Sequence, residues 1–219
     1  MVRSSLYTIS LFLIFGGSLY GQVGNIIGKK QSRVKHANKN ETAVLTKNLA
    51  QRITKDSRSD SEKVYAIYRW IATNVSYDHQ LRLNTDLQKK IYVSEENIIK
   101  NVLGRRKALC GGFAFLFKDL CENVGVSAEV VHGFTKNYSS EIPDNNIPTH
   151  TWNVVKLNGH WELLDITWAI AYGQSNIPDD FWYLTNPRDF IYSHYPEDPR
   201  WILLPPAISL GEFHSDSKQ

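Results

Sequence analysis

The stretch RRKALCGGFAFLFKDLCENVG, residues 105–125, predicts a helix with a cysteine at its first turn. Its apolar positions recur at helical spacing on one face and comprise Phe113, Leu116, Phe117, Leu120 and Val124. Gly125 supplies a C-terminal stop. Cys110 therefore sits at or just before the helix start, where the helix dipole and unpaired N–H groups stabilise a thiolate and lower the pKa of a thiol.

The chain contains two cysteines, Cys110 and Cys121, and both fall on this predicted helix. At about 1.5 Å of rise per residue they are roughly 16 Å apart, whereas a disulfide needs Cα atoms within about 7 Å. They cannot pair with each other. Cys121 lies deep in the apolar repeat, which is typical of an inert buried thiol. Taken alone, Cys110 is equally consistent with a small core residue and with a functional thiol.

Three further helices are predicted upstream. One covers about residues 41–54, one follows the capping-box pair Ser59 and Glu62, and one begins at Ser94 and is stopped by Gly104. Their apolar faces comprise, in order, Val44, Leu45, Leu49 and Ile53; Val64, Ile67, Tyr68 and Ile71; and Ile98, Ile99 and Val102.

Beyond residue 125 the pattern changes to short segments rich in Val, Trp and Thr. SAEVVHGF at 127–134, HTWNVVKL at 150–157 and HWELLDITW at 160–168 are typical of strands. Asn158-Gly159 between the last two is a strong hairpin signal. Helices followed by an antiparallel sheet indicate an α+β domain, with the cysteine at a helix start packed on that sheet.

The hairpin gives a geometric expectation. If Asn158 and Gly159 are the two loop residues, Trp152 faces Asp165 across the strands. His150 and Asp165 are then diagonal neighbours on one face, with roughly 7 Å between their backbones, a gap that two side chains can close with a hydrogen bond. A one-residue slip of the register would remove this pair.

The first 21 residues have the pattern of a secretory signal peptide. Arg3 precedes an apolar run at 11–15 and small residues that end at Gly21, with cleavage expected before Gln22. The apolar run is short for a membrane span, although an uncleaved anchor is the alternative. We therefore expect a secreted or periplasmic protein with no integral membrane span after signal removal.

The charge distribution excludes a nucleic-acid-binding body. Residues 22–59 carry nine Lys and Arg against two Asp and Glu, whereas residues 60–219 carry 15 against 20. The basic segment at 22–40 lacks the interleaved aromatics of a nucleic-acid site, and we interpret it as a solvated linker. A contact with an anionic surface is its alternative function.

No metal or other cofactor is expected. The sequence contains no CxxC pair, no HExxH pair and no EF-hand loop. His132 and His160 are expected to be packed or solvent-facing. His194, in the tail, is expected to be structural or part of a cap over the substrate.

ALCGGFAFLFKDLCENVGV, with HTWNVVKLNGHWELLDITW and the upstream NVSYD, resembles the transglutaminase-like superfamily of papain-related cysteine enzymes. Within it, the sequence is similar to bacterial members akin to the kyphoscoliosis peptidase. The resemblance implies a transglutaminase-like (papain-like) fold and a catalytic triad of Cys110 as nucleophile, His150 on a strand and Asp165 on the next strand. It places the domain at 41–204, with a C-terminal extension from about 174 and a tail at 205–219.

The chemistry implied by the resemblance is acyl transfer through a thiolate. Hydrolysis of a peptide or amide bond is the preferred interpretation, with protein, peptide or cell-wall peptide as substrate. The alternatives are a protein-glutamine crosslinking enzyme on the same triad and a non-catalytic protein-binding module of the same fold. Tyr77, Trp152 and Trp168 are further candidates for substrate contact or for stabilising the oxyanion.

Overall fold

The computed structural model describes residues 41–136, 148–205 and 208–215. The predicted signal peptide at 1–21 and the basic linker at 22–40 lie outside these residues. Within the described residues, no helix combines the length and apolar character needed to cross a membrane.

The N-terminal half is helical. Its helices are α1 at 41–53, α2 at Asp60–Asn74, α3 at His79–Arg82, α4 at Thr85–Ile91, α5 at Glu95–Arg105 and α6 at Cys110–Glu122. Two short strands, β1 at Ser76–Tyr77 and β2 at Lys107–Ala108, pair in parallel. Half of the capping box is present, since the Ser59 hydroxyl accepts from the Glu62 N–H at 3.2 Å at the start of α2. The Glu62 carboxylate accepts from the Arg58 N–H in place of the Ser59 N–H.

Helix α6 matches its prediction closely. Cys110 is its first residue, and Leu109 caps it without a side-chain hydrogen bond. Its buried side includes Phe113, Leu116, Phe117 and Leu120. Gly125 follows with a φ of 81°, a left-handed backbone conformation that favours glycine and ends the helical path.

The C-terminal half contains one four-stranded sheet. The strands are β3 at Ala128–Thr135, β4 at His150–Leu157, β5 at His160–Leu164 and β6 at His194–Pro196, in the order β5-β4-β3-β6. All neighbours are antiparallel. Helix α6 packs against β3 and β4 and also against α2 and α5, so the main core surrounds it. The predicted α+β architecture is confirmed.

The hairpin register is also confirmed over the length of the ladder. Asn158 and Gly159 have φ values of 51° and 86°, as a type I′ turn requires. The ladder ends, however, at the pair Asn153–Leu164. The predicted pairing of Trp152 with Asp165 is wrong, because the Asp165 N–H donates to the Trp182 carbonyl at 2.9 Å and the chain turns into a helix.

That helix is α7 at Ile166–Tyr172. Two 3-10 turns at Asp180–Trp182 and Pro199–Ile202 and two short helices, α8 at Pro187–Phe190 and α9 at Leu210–Ser215, complete the described chain. Phe213 of α9 lies within the segment predicted as a tail. It is buried in a second core cluster with Phe134, Tyr195 and Ile202.

Two helical details differ from expectation. Val44 and Leu45 of α1 are more than half exposed, because the buried face of α1 includes two threonines, Thr42 and Thr46, in place of these larger residues. Gly104 does not stop α5, which runs on and ends where Arg106 takes a left-handed φ of 54°.

Candidate active site

The thiol of Cys110 is half-buried at the first position of α6. The Gly111 N–H donates to its sulfur, and the Gly112 N–H donates to the Leu109 carbonyl at 2.8 Å. As the first helical residue, Cys110 has an N–H with no carbonyl one turn earlier to accept from it. The helix start therefore offers both a thiol and a backbone donor at one point.

His150 stands at the first position of β4, beside this thiol. Its Nε2 lies 2.6 Å from Asp165 Oδ2, and the imidazole is hydrogen-bonded to the Cys110 sulfur. Since Nε2 is engaged by the carboxylate, Nδ1 is the nitrogen left to face the sulfur. The structure thus brings together the three residues predicted for the triad.

The resemblance implied that Asp165 lies on a strand. In the structure it lies one residue beyond the end of β5. Its Oδ1 accepts from the Trp168 N–H at 3.0 Å and caps α7. Its Oδ2 is left for the imidazole, and the side chain is 1% exposed. The cap orients the carboxylate, because one of its oxygens is held by the backbone.

The electrostatics favour an ion pair between sulfur and imidazole. Burial raises the pKa of the Cys110 thiol, but the hydrogen bond and charge of His150 outweigh it, so the pKa is lowered. Burial also disfavours a charged imidazole, yet Asp165 and Cys110 raise the pKa of His150 to about 10. The same imidazole holds the pKa of Asp165 well below its usual range despite burial. The protonation state favoured by these contacts is thiolate, imidazolium and carboxylate.

Tyr77 lies close to the thiol. Burial and the negative charge of Cys110 raise its pKa. The neighbouring Asp78 fixes this segment, because its N–H donates to the Ala108 carbonyl at 2.9 Å and its carboxylate pairs with Arg105 at 2.6 Å. The NVSYD motif thus ties Tyr77 to the chain that leads directly into α6.

The two candidate tryptophans differ in position. Trp152 is 1% exposed and its Nε1 is fully buried without a hydrogen-bond partner, so it lies out of reach of a substrate. Its ring stacks near His150 with centroids 6.1 Å apart. Trp168 is half-buried, with its ring centroid 6.0 Å from that of His150. Trp168 can therefore wall the cleft, whereas Trp152 supports the imidazole from within the core.

A cavity of about 800 Å³ opens beside the sulfur. Its walls are contributed by α4 and α5, by the first turns of α6 and by the facing edges of β3 and β4. Besides Cys110, its lining residues include Tyr92, Ile98, Phe115, His132 and Thr151. The Tyr92 ring packs against Gly111 in the first turn of α6. The cavity is large enough for several side chains of a peptide.

Comparison with known proteins identifies the family. Residues 47–166 match the family model described as the transglutaminase-like superfamily. The chain belongs to that superfamily. It is 30% identical over 175 residues to the mouse (Mus musculus) kyphoscoliosis peptidase, covering 76% of this chain and 25% of that protein. It is 27% identical over 201 residues to the Lim and transglutaminase domain protein ltd-1 of Caenorhabditis elegans, covering 81% and 26%.

This transglutaminase-like chain thus spans about a quarter of the length of the curated relatives it matches. Among solved structures, it is similar to one described as a TGase, with 19% identity, a TM-score of 0.45, and coverage of 71% of this chain and 39% of the other. The predicted superfamily is confirmed by the family model and the sequence relatives.

One residue of the transglutaminase-like site has a role that sequence analysis missed. His194, at the start of β6, is fully buried, and its Nε2 lies 3.1 Å from the same Asp165 Oδ2 that contacts His150. The expectation of a cap over the substrate does not fit this position. No local signal could reveal it, because the contact spans 29 residues and depends on how β6 pairs with β3.

His150, Asp165 and His194 also offer ligand atoms that all lie within 4.8 Å of one another, the spacing of a metal site. All three side chains are buried. Each of the converging atoms is already engaged, since both imidazole Nε2 atoms contact the single Asp165 Oδ2. A metal ion here would have to break both of these contacts, so the arrangement fits a hydrogen-bonded triad better.

Proposed function

We propose that this protein is a cysteine peptidase or amidase that cleaves a peptide or amide bond through Cys110, His150 and Asp165. The observation that carries the proposal is the continuous contact from sulfur to imidazole to carboxylate at the start of α6, beside a cavity of about 800 Å³. The order of these contacts is that of a nucleophile, a general acid–base group and an orienting group.

In the first half-reaction the thiolate attacks the substrate carbonyl carbon, and the carbonyl π electrons move to oxygen. The resulting oxyanion collapses, the C–N bond breaks, and the imidazolium of His150 gives its proton to the departing amine. A thioester on Cys110 and a neutral His150 remain.

In the second half-reaction a water molecule attacks the thioester carbon while His150 takes its proton. The new oxyanion collapses and expels the sulfur as a thiolate. The carboxylic acid leaves, and the thiolate–imidazolium pair is restored. A primary amine in place of water would give crosslinking instead, so the acceptor decides between the two activities.

The Cys110 N–H is the first donor to the oxyanion, since it has no partner within the helix. The phenol of Tyr77, beside the sulfur, is the candidate for the second donor. Trp152 is not, because its Nε1 is buried. The cavity walls from α4 and α5 would hold the acyl side of a protein or peptide substrate.

We further propose secretion, which rests on the sequence pattern at 1–21 alone. Expression of the full chain in a bacterial host, with amino-terminal sequencing of the protein from each cell fraction, tests it. A cytoplasmic protein with an intact amino terminus would contradict this part.

The activity is tested in two steps on the purified full chain. The first is the rate of iodoacetamide alkylation against pH, read by intact mass, for the parent, Cys110→Ala and His150→Ala. Fast labelling well below pH 8 that requires Cys110 and slows in His150→Ala is expected. Labelling only near the unperturbed thiol pKa, about 8.5, would overturn the catalytic proposal and favour the binding module.

The second step uses a peptide mixture from a digested proteome together with a labelled primary amine. New carboxyl termini or deamidated side chains that appear with the parent and are missing with Cys110→Ala support hydrolysis. Incorporation of the labelled amine as the main Cys110-dependent product would overturn hydrolysis in favour of the crosslinking alternative.

A further inference from the structure

Two imidazoles share one oxygen of Asp165. His150 Nε2 is 2.6 Å from Oδ2, and His194 Nε2 is 3.1 Å from the same atom. The other ring nitrogen of His194, Nδ1, lies 2.8 Å from the Ser193 hydroxyl. His194 therefore has a partner at both nitrogens.

The surroundings of His194 are aromatic. Its ring centroid lies 4.1 Å from Phe190, 4.3 Å from Trp168, 5.1 Å from Trp152 and 5.4 Å from Trp182. The side chain has no exposed area. Contacts with four aromatic rings restrict reorientation of the imidazole and so help to fix the directions of its two hydrogen bonds.

The protonation of His194 follows from its partners. The carboxylate oxygen only accepts, so Nε2 carries the proton. The single Ser193 hydroxyl proton has two acceptors in reach, His194 Nδ1 at 2.8 Å and the Phe190 carbonyl at 3.4 Å, and the nearer Nδ1 of the neutral ring accepts it. The ionisable groups whose charges act on His194 are Asp165, which favours the charged ring, and His150, which opposes it. Burial is the largest influence and lowers the pKa of His194 to about 4. Near neutral pH it is an uncharged donor.

From these contacts we infer that His194 is a positioning residue for the triad: it holds Asp165 Oδ2 through a neutral Nε2–H and leaves the positive charge on His150. This inference rests on the proposed function, because it assigns His194 a role in the same reaction. His194 touches neither the sulfur nor a substrate, and it acts through the carboxylate.

The carboxylate is then held from three sides. The Trp168 N–H binds Oδ1, while the two imidazoles meet at Oδ2. With thiolate, imidazolium and carboxylate present, the triad carries a net negative charge in a buried place. An N–H dipole aimed at Asp165 stabilises that charge, so its loss makes the Cys110 thiolate harder to form.

The test compares His194→Leu with His194→Gln in the full chain. Leucine approximates the volume of the histidine side chain and removes both of its hydrogen bonds, whereas glutamine keeps an N–H that can reach Asp165. The readout is the pH midpoint of Cys110 alkylation. Asp165 is charged in both protonation states of Cys110, so the lost N–H dipole acts on the thiol only through space. We expect leucine to raise the midpoint by less than about one pH unit and glutamine to recover most of that shift.

A purely structural role predicts a different result. His194→Leu would then lower the melting temperature, and the alkylation midpoint of the folded variant would equal that of the parent. That outcome overturns the inference, and so does an equal shift in the leucine and glutamine variants, which would trace the effect to packing.

A measurement on the parent protein covers the case in which the leucine variant does not fold. Histidine-labelled protein is recorded by ¹⁵N-edited NMR between pH 5 and 8, and the His194 ring signals are assigned by their loss in His194→Gln. A neutral Nε2–H tautomer throughout is expected, and an imidazolium or an Nδ1–H tautomer would overturn the inference. This result is independent of thiol reactivity, so an unreactive Cys110 in the parent refutes the proposed function separately.

Discussion

The two ends of helix α6 carry the same chemical group in opposite states. Cys110 in the first turn contacts His150, and its pKa is lowered. Cys121 in the last turn is fully buried in the apolar core, and burial raises its pKa. The helix supplies only the thiols; the protein around each one decides its chemistry. The His150 imidazolium beside Cys110 outweighs the cost of burial at one end, whereas no imidazolium among the described residues acts on Cys121 at the other.

The largest expected effect comes from removing the first of these thiols. Cys110→Ala should abolish both iodoacetamide labelling of the folded protein and any acyl transfer, because no other described thiol has an imidazole partner. Intact mass and peptide-product analysis measure both. Labelling that persists at the parent rate would show that Cys121, and not Cys110, is the reactive thiol.

The His150 imidazole is the second group that makes Cys110 differ from Cys121. In His150→Ala, the Cys110 thiolate loses its hydrogen bond and its counter-charge while burial still raises the thiol pKa, so the alkylation midpoint should move up to about 8.5 or above. Acyl transfer should fall by about 100-fold to 10,000-fold, the usual contribution of a general acid–base group. A midpoint unchanged from the parent would mean that the helix start alone activates the sulfur.

Features of the fold that depend on residues close together in the sequence could be predicted from it. The capping box before α2, the apolar face of α6 and the Asn158-Gly159 turn are local patterns, and all were predicted. The predicted hairpin register is observed from the pair Leu157–His160 to the pair Asn153–Leu164. It therefore brought His150 and Asp165 close together, although both residues lie beyond the last pair.

The errors lie where distant contacts override local preference. The segment Ile166–Trp168 has residues typical of strands, yet the chain forms α7 there because Asp165 caps a helix and bonds to Trp182. Trp152 has the size of a cleft residue but faces the core. His194 joins the triad only through the pairing of β6 with β3, and nothing near it in the sequence indicates that contact.

The carboxylate should affect thiolate formation less than the imidazole does, because it acts on the sulfur through His150. Asp165→Asn keeps an oxygen that can accept from the Trp168 N–H and cap α7, but it removes the negative charge that stabilises imidazolium. We expect acyl transfer to fall by about 10,000-fold, as for the same change in a Ser-His-Asp triad, and the pKa of the Cys110 thiol to rise, with little change in folding. Steady-state cleavage and circular dichroism, measured together, separate loss of charge from loss of structure.

The pH dependence distinguishes thiolate formation from catalysis. Alkylation needs only the thiolate, so its rate should rise as pH increases through the lowered pKa of Cys110 and then stay high. Acyl transfer also needs the proton on His150, whose pKa is raised to about 10, so cleavage should decline as pH rises through that value. Parallel profiles for the two reactions at alkaline pH would contradict a role for the imidazolium in protonating the amine.

The smallest effect is expected at the other end of α6. Cys121→Ala removes one buried sulfur atom and leaves a small cavity beside Leu120, which should lower the free energy of unfolding by about 1 kcal/mol. The alkylation profile of Cys110 should match the parent, because residue 121 lies about three turns away and takes no part in the ion pair. Urea unfolding gives the first quantity and intact mass the second. A shifted Cys110 profile would mean that packing at the last turn controls the first, so the two thiols would no longer be independent sites on one helix.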